Sequence, residues 1–310
     1  MATHYIKPER KSLHGSFSKD LLPLLTIDSG DTVQFETLDM GWALEPWKKP
    51  GIPKRFERKQ PEDQGHAICG PVYIRDAESG MTLEIKINHI RTGTWGWASA
   101  GGFPPELNDR LGTAGDEYFM HWKLNADKLE GISEYGHKIK LKPFMGIMGM
   151  PPNEAGLHAT LPPRYCGGNI DCKELTAGSV LYLPIAVSGA LFSVGDGHAA
   201  QGDGEVAMPA LECPMEIVDL TFILHADMKI KMPRAHTADG WITFGFHEDI
   251  NEATMIALDG MLDLMEELYK FERKEALALA SLVVDLRITQ IVNGVKGVHA
   301  VLPHHSIGKV

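Results

Sequence analysis

Three times along the chain a small residue and a glycine open a short stretch of alternating character. Asp28-Ser-Gly-Asp31 leads into Thr32–Leu38, Glu78-Ser-Gly80 into Met81–Ile87, and Thr176-Ala-Gly178 into Ser179–Pro184. Glycine suits such turns because it adopts positive φ at no steric cost. In the first two stretches the apolar residues fall two apart: Val33 and Phe35, then Met81, Leu83, Ile85 and Ile87. Side chains alternate across a strand, so this spacing predicts strands with one face in a core. Further strands are expected within Ile68–Ile74, Ile139–Pro152 and Pro214–Leu224. Turn and strand repeated in this way predict sandwich or barrel-like domains, and the similarity of the three units fits an internal duplication.

Helical spacing is confined to the C-terminal part. Asp249 or Asn251 can cap a helix whose Met255, Leu258, Leu262, Met265 and Tyr269 keep a three–four spacing. A second helix is expected over Arg273–Val284, rich in the strong helix formers Ala and Leu. Leu286–Val292 and Val295–Leu302, joined at Asn293-Gly294, read as a hairpin. The fold class is therefore mainly β (α+β overall), with β-sandwich or barrel-like domains and a small C-terminal α+β part. The expected organisation is an ill-fixed polar arm over 1–19, an N-terminal β domain over 20–140, a central β domain over 141–245, and the α+β part over 246–310 packing on the rest. Residues 40–66 carry Pro46, Pro50, Pro53 and Pro61 beside Trp42 and Trp47, and read as a long surface excursion of the kind that forms lids. Residues 91–123 hold Trp95, Trp97 and Phe103 among Gly and Pro. Aromatic packing under loops is the first reading there, and an aromatic wall for a small apolar group the second.

A net charge of −11 argues against a nucleic-acid partner held through phosphates. No apolar run approaches the length of a membrane helix, and Met1–Lys19 has no apolar core of a secretion signal. The four cysteines, Cys69, Cys166, Cys172 and Cys213, form no Cys-x-x-Cys pair. Free thiols in a cytoplasmic protein without a membrane partner are the expectation. Cys166 and Cys172 as zinc ligands come second to two buried thiols, because thiolate zinc sites use tighter pairs.

The chemistry concentrates in Ser193–Glu205, Ser-Val-Gly-Asp-Gly-His-Ala-Ala-Gln-Gly-Asp-Gly-Glu, with four glycines between Gly195 and Gly204. Asp196 and His198 are two apart, so in extended chain they share a face and can share a cation or a proton. A hydrogen-bonded structural pair is the alternative, and the flanking glycines favour function. Glu205 is equally a general base or ligand and a solvated turn residue. Asp203, between two glycines, reads as a turn former. Asp171, after the Gly167-Gly168 turn, reads alone as a cap for backbone N–H groups. Glu36 and Asp39 end the first repeat as Asp196 ends the third, so pseudo-symmetry would bring them to the same cleft. His66 and His158 read as surface or capped histidines, and His304-His305 as a solvated pair. No phosphate-binding loop, His-Glu-x-x-His helix or Gly-x-Ser-x-Gly elbow is present. Cys166 stays a possible nucleophile with no specific support.

The stretch Gly189–Glu205 resembles the central signature of the acetamidase/formamidase family. Gly70-Pro-Val-Tyr-Ile74, Gly167-Gly-Asn-Ile-Asp171, Leu181-Tyr-Leu-Pro184, Val284–Asn293 and Gly297–Pro303 resemble its flanking blocks. The resemblance spans residues 20 to 303, weakest over Met40–Gln64 and Met228–Asp239. It implies hydrolysis of short aliphatic amides to acid and ammonia, a largely β fold, a divalent metal (zinc or calcium) and a homo-oligomer. Carried over by position, it implies metal and catalytic roles among Asp171, Asp196, His198 and Glu205, with Gln201 helping to hold the amide. The resulting hypothesis is a metal-assisted amidase. Asp171, Asp196 and His198 would hold the cation, with Asp39 in addition. Glu205, with Glu36 in reserve, would move the proton, and backbone N–H groups at Gly195 and Gly197 would approach the oxyanion. The rivals are a Cys166-dependent amidase and a non-enzymatic metal- or ligand-binding β protein.

Overall fold

The computed structural model describes residues 1–46 and 53–308, so Trp47 and Pro50 of the expected excursion lie outside the described residues. In chain order the strands begin with β1 (Thr3–Ile6), β2 (Leu13–His14), β3 (Ser16–Phe17), β4 (Leu25–Ile27), β5 (Thr32–Thr37), β6 (Ile68–Ile74), β7 (Thr82–Thr92) and β8 (Trp95–Ala100). Helix α1 (Pro105–Leu111) precedes β9 (Tyr118–Asn125), β10 (Glu130–Ser133), β11 (Lys138–Lys140), β12 (Phe144–Gly149), β13 (His158–Ala159), β14 (Gly167–Asn169), β15 (Val180–Pro184) and β16 (Phe192–His198). Then come β17 (Met215–His225), β18 (Arg234–His236), β19 (Gly240–His247), α2 (Ile250–Tyr269), α3 (Arg273–Val283), β20 (Asp285–Gln290) and β21 (Lys296–Pro303).

The strands form a nine-stranded sheet in the order β1-β5-β17-β7-β15-β18-β19-β21-β20 and a six-stranded one, β14-β12-β16-β6-β2 with β4 beside β6. A four-stranded sheet, β11-β10-β9-β8, and the pair β13-β3 complete the set. Among the described residues no sheet closes into a barrel. The large sheet draws strands from each of the segments 1–19, 20–140, 141–245 and 246–310. Phe35, Ile85, Leu181 and Phe222 of that sheet share one core with Val72, Met145, Met148 and Val194 of the six-stranded sheet. Phe192 and Phe222 join the two, their ring centroids 5.0 Å apart at 65°.

Local signals account for the helical end. The Asp249 side chain accepts the Asn251 N–H at 2.8 Å and caps α2. Ala253, Ala257, Met261 and Met265 then pack on Val298, Ala300 and Leu302. Gly245 lets α2 lie this close, since a Cβ there would strike the Ala253 carbonyl. Met255, expected on the buried stripe, is exposed because the small residues Ala253 and Ala257 face the sheet instead. No helix among the described residues is long and apolar enough to cross a membrane.

Four expectations change. The N-terminal arm is not ill-fixed: β1 pairs in parallel with β5, and Ile6, Leu13 and Phe17 are buried. Trp42 is not on a surface excursion. It is wholly buried, donates from its indole to the Gly65 carbonyl at 2.8 Å and lies under the Arg10 and Arg58 guanidiniums. Helix α1 had no periodic signal to announce it. The C-terminal hairpin exists, but its connection is longer than a two-residue turn, and Asn293 within it is buried.

Candidate metal centre and catalytic site

The site lies at a defect in the six-stranded sheet. Strand β16 runs between β12 and β6, with Met145 opposite Gly197 and Ile147 opposite Gly195. Between these pairs Asp196 takes φ of 59° and Gly146 carries no side chain. A Cβ at Gly146 would sit 2.6 Å from Asp171 Oδ1, 2.6 Å from Asp196 Oδ2 and 2.9 Å from His198 Cε1. Asp171 follows β14, Glu205 lies in the turn after β16, and Glu212 lies just before β17, where its backbone bridges to His198 and Trp97. The Glu205 turn is tied to the end of β20, Gly204 N–H donating to the Thr289 carbonyl at 3.1 Å.

His198 is the centre. Its Nε2 lies 3.2 Å from Glu212 Oε1 and 3.4 Å from Asp196 Oδ1, and its Nδ1 lies 3.9 Å from Asp171 Oδ1. Gln201 sets the tautomer: its Nε2 donates to the Asp171 carbonyl at 2.7 Å, so Oε1 is the end that faces His198 Nδ1 at 2.9 Å. Nδ1 therefore carries a proton, and Nε2 is the nitrogen that faces Asp196 and Glu212. The Phe144 ring meets the imidazole edge-on at 5.0 Å and closes one side.

Asp171, Asp196, His198, Glu205 and Glu212 are all buried. One oxygen of each acid, Asp171 Oδ1, Asp196 Oδ1, Glu205 Oε2 and Glu212 Oε2, has no hydrogen-bond partner among the described residues. Buried polar atoms are ordinarily paired, so four orphaned carboxylate oxygens around one imidazole fit a cation. Two overlapping donor sets result: Asp196, His198 and Glu212, and Asp171, His198 and Glu205.

The protein's own charges leave this cluster unbalanced. Burial pushes Asp171 up to about 7 and Glu212 up to about 8. Burial, and then the Asp171 carboxylate, push Glu205 well above the usual range. Burial also opposes ionisation of Asp196, yet His198 and His66 hold its carboxyl at about 2. Burial works against a charged His198, but Glu212 and Asp196 raise it well above its ordinary value. A cation among these oxygens replaces the protons they otherwise retain.

The structure brings together Asp171, Asp196, His198 and Glu205 and sets the other candidates apart. Glu36 is outside: it lies on the outer face of β5 and pairs with Lys7 at 3.0 Å. Asp39 is wholly buried nearby, but Oδ1 accepts the Ala43 N–H at 2.6 Å and Oδ2 the Trp97 indole N–H at 2.9 Å, so neither oxygen is free. Burial pushes its carboxyl up to about 6. Gln201 has both ends of its amide engaged within the protein, on His198 Nδ1 and the Asp171 carbonyl. Gly195 and Gly197 lie inside β16, where a side chain would strike the Ala67 and Cys213 carbonyls, so close strand packing requires glycine at both. His66 is buried beside Asp196, with Nδ1 on Thr160 Oγ1 at 2.7 Å. Cys166 is buried, its thiol on the Met150 carbonyl at 3.2 Å, and burial pushes it up to about 11. Such a thiol is a poor nucleophile.

Two residues escaped the sequence reading. Glu212 sits between Ala210-Leu211 and Cys213-Pro214, and a lone acid in so apolar a setting is the signal that could have found it. Asn293 donates to Asp171 Oδ2 at 2.6 Å, a role hidden behind its Asn-Gly turn signature. Two cavities reach residues that neighbour the cluster, Trp97 and His66. One of about 400 Å3 is lined by Met40, Trp97, Phe103, Glu117 and Met208. Another of about 530 Å3 reaches His66 and Thr160. A third, of about 380 Å3 against α2, touches none of the cluster residues.

Fold and site define a mainly β protein built around a buried histidine–carboxylate centre. Residues 155–305, just under half of the chain, match the model of the Acetamidase/Formamidase family, and over that stretch the chain is similar to it. The formamidase of Methylophilus methylotrophus is 53% identical over 248 residues, 63% of this chain and 59% of that protein. The acetamidase of Mycolicibacterium smegmatis is 53% identical over 47 residues, 15% of this chain and 12% of that protein. The chain thus spans about three-fifths or less of the curated relatives it matches. Among solved structures, the acetamidase of Bacillus halodurans superposes with a TM-score of 0.84 at 27% identity, covering 97% of both chains. That of Yersinia enterocolitica gives 0.85 at 25% identity, covering 99% of this chain and 93% of its own.

Proposed function

We propose that the chain hydrolyses a short aliphatic amide, of the formamide or acetamide class, to the carboxylic acid and ammonia with the help of a divalent cation. The observation that carries this reading is the set of four unpaired buried carboxylate oxygens around His198. Similarity to the Acetamidase/Formamidase family over residues 155–305 suggests the reaction class. Asp196, His198 Nε2 and Glu212 would hold the cation, because the Gln201 contact turns Nε2 toward those two acids. When bound, the cation supplies Lewis acidity toward an amide carbonyl and a lowered pKa for water. The imidazole nitrogen in the donor set favours zinc over calcium, which prefers oxygen alone.

Glu205 is the proton carrier. Its Oε2 is unpaired, and burial beside Asp171 keeps its proton affinity high, as a group must have that takes a proton from water and returns it to the leaving nitrogen. Asp171, fixed by Asn293, adds to the rise that burial causes. Trp97 and Phe103 close the cavity around a small acyl group, with the buried Ala199 beside the site. The chain would work as a cytoplasmic homo-oligomer. Leu286 and Ile288, exposed on the edge strand β20, and Leu277 and Leu282, exposed on α3, supply an apolar surface for a second copy.

The test is ammonia release from formamide, acetamide and propionamide with and without chelator, in the wild type, Glu205→Gln and Glu212→Gln. Turnover that chelator abolishes and zinc restores is expected, with both variants reduced at least ~100-fold, the scale of a lost general acid–base. Full turnover after metal stripping, or in either variant, overturns the assignment of roles. A loaded protein inert to all three amides leaves the non-enzymatic binding protein as the better reading.

A further inference from the structure

A second cluster of metal-binding groups adjoins Asp171 and takes no part in the reaction proposed above. Cys172, Glu174 and His299 are buried, and one ligand atom from each lies within 4.8 Å of the others. The Cys172 thiol donates to Glu174 Oε2 at 3.3 Å, and His299 Nε2 lies 3.7 Å from the same oxygen. His299 Nε2 is buried without a hydrogen-bond partner. Its orientation is set from behind, where Nδ1 meets Thr289 Oγ1 at 2.8 Å. Arg287 Nη1 occupies Glu174 Oε1 at 2.8 Å and leaves Oε2 for the cluster.

We infer that Cys172 Sγ, Glu174 Oε2 and His299 Nε2 form a structural zinc site, separate from the His198 centre. Zinc takes sulfur at about 2.3 Å and nitrogen or oxygen at about 2.0–2.1 Å, so the edges of a tetrahedral site measure roughly 3.3–3.6 Å. The observed 3.3 and 3.7 Å lie close to those edges. Sulfur and imidazole in the donor set select zinc over calcium or magnesium. Binding breaks the Cys172 S–H bond, releases the proton to solvent and forms a thiolate–zinc bond without change of oxidation state. Thr289 behind His299 and Arg287 behind Glu174 are the supporting contacts that metal ligands use to keep their orientation.

The site joins two segments that both set Asp171. Cys172 and Glu174 belong to the loop that Asp171 begins, and His299 to β21. The β20–β21 connection also carries Asn293, which holds Asp171 Oδ2. Zinc at this cluster clips the loop to the hairpin and fixes the carboxylate that neighbours Glu205.

Cobalt titration of metal-stripped protein tests the inference. Only a thiolate ligand gives a near-ultraviolet sulfur-to-cobalt charge-transfer band, and the His198 centre contains no sulfur. One equivalent of Co2+ per chain should produce the band, and Zn2+ should abolish it. Cys172→Ser should lose the band and one equivalent of bound metal, and His299→Gln should weaken Co2+ binding at least tenfold. No band in the wild type overturns the proposal even where a variant fails to fold, as does a band that persists in Cys172→Ser.

Discussion

Gly146→Ala is the sharpest probe of the His198 centre, because it adds one methyl group and removes no functional atom. Its Cβ would lie 2.6 Å from Asp171 Oδ1 and from Asp196 Oδ2. Ordinary contact begins at 3.4 Å, so each oxygen would have to withdraw by 3.4 − 2.6 = 0.8 Å. A displacement near 1 Å in a catalytic group lowers turnover by about 100-fold. Overpacking of this kind destabilises by about 1–3 kcal/mol, too little to unfold a protein of this size. We therefore expect Gly146→Ala to fold, to bind zinc more weakly and to lose about two orders of magnitude in kcat. Gly131→Ala is the control, since its Cβ would press on Leu141 Cδ2 at 3.1 Å and touch no cluster residue. Urea unfolding, metal content and ammonia release would be measured on both. If Gly146→Ala keeps wild-type metal and turnover while Gly131→Ala shows the same loss of stability, the gap between Asp171 and Asp196 is not where the chemistry occurs.

Gln201→Leu should weaken zinc binding by roughly 10–100-fold, because His198 Nδ1 loses the acceptor that fixes its tautomer; competition with a chelator measures this, and unchanged affinity refutes the tautomer argument. His14 is buried and neutral, pushed down to about 4 from 6.5 by burial, with its ring nitrogens on the Ser16 carbonyl and the Ser193 hydroxyl. The unfolded chain binds this proton first, so the stability present above pH 6.5 is lost as pH falls toward 4, by up to about 3 kcal/mol. His14→Gln should flatten that part of the urea-derived stability curve, and an unchanged curve refutes the assignment. Asp171→Asn should abolish turnover yet raise the stability of metal-stripped protein above pH 7, since burial disfavours the charged form and Asn tolerates φ of 53°. Destabilisation at pH 8 would show that the carboxylate supports the fold.

Most of the sheet was legible because strand alternation is a local property. Val33 and Phe35 are buried between half-buried neighbours, and Leu83, Ile85 and Ile87 are buried, though Thr82 and Glu84 beside them are buried as well. That same alternation turns Glu36 away from the core that Phe35 enters: the residue after an inward Phe points outward. The pseudo-symmetry argument overlooked this. Asp196 and His198 were legible by spacing, and Asp171 and Glu205 through the resemblance. Glu212 was not, because its place opposite His198 depends on a bridge to a strand fourteen residues earlier in the chain. Gly195 and Gly197 looked like access for an oxyanion, whereas the Ala67 and Cys213 carbonyls that require them are tertiary neighbours.

The backbone explains why so unfavourable a cluster can exist at all. Asp171, Asp196 and Glu205 take φ of 53°, 59° and 44°, conformations that side-chain-bearing residues seldom adopt. Strain of this kind amounts to about 1–3 kcal/mol per residue and persists only where the surroundings over-determine it. Here the surroundings are specific. Strand pairing on both sides of Asp196 holds its neighbours Gly195 and Gly197 in register, and the Asp171 N–H bonds to the Gly146 carbonyl at 3.2 Å. The Glu205 turn is pinned to β20 through Gly204. Each acid is thus forced inward by a neighbour that pairs normally, while the acid itself breaks the pattern. A regular β12–β16 ladder would place a side chain where Gly146 leaves a gap and would turn Asp196 out of it. The sheet is interrupted at the one point where negative oxygens must converge, and the paired strands around it resist the repulsion that convergence creates.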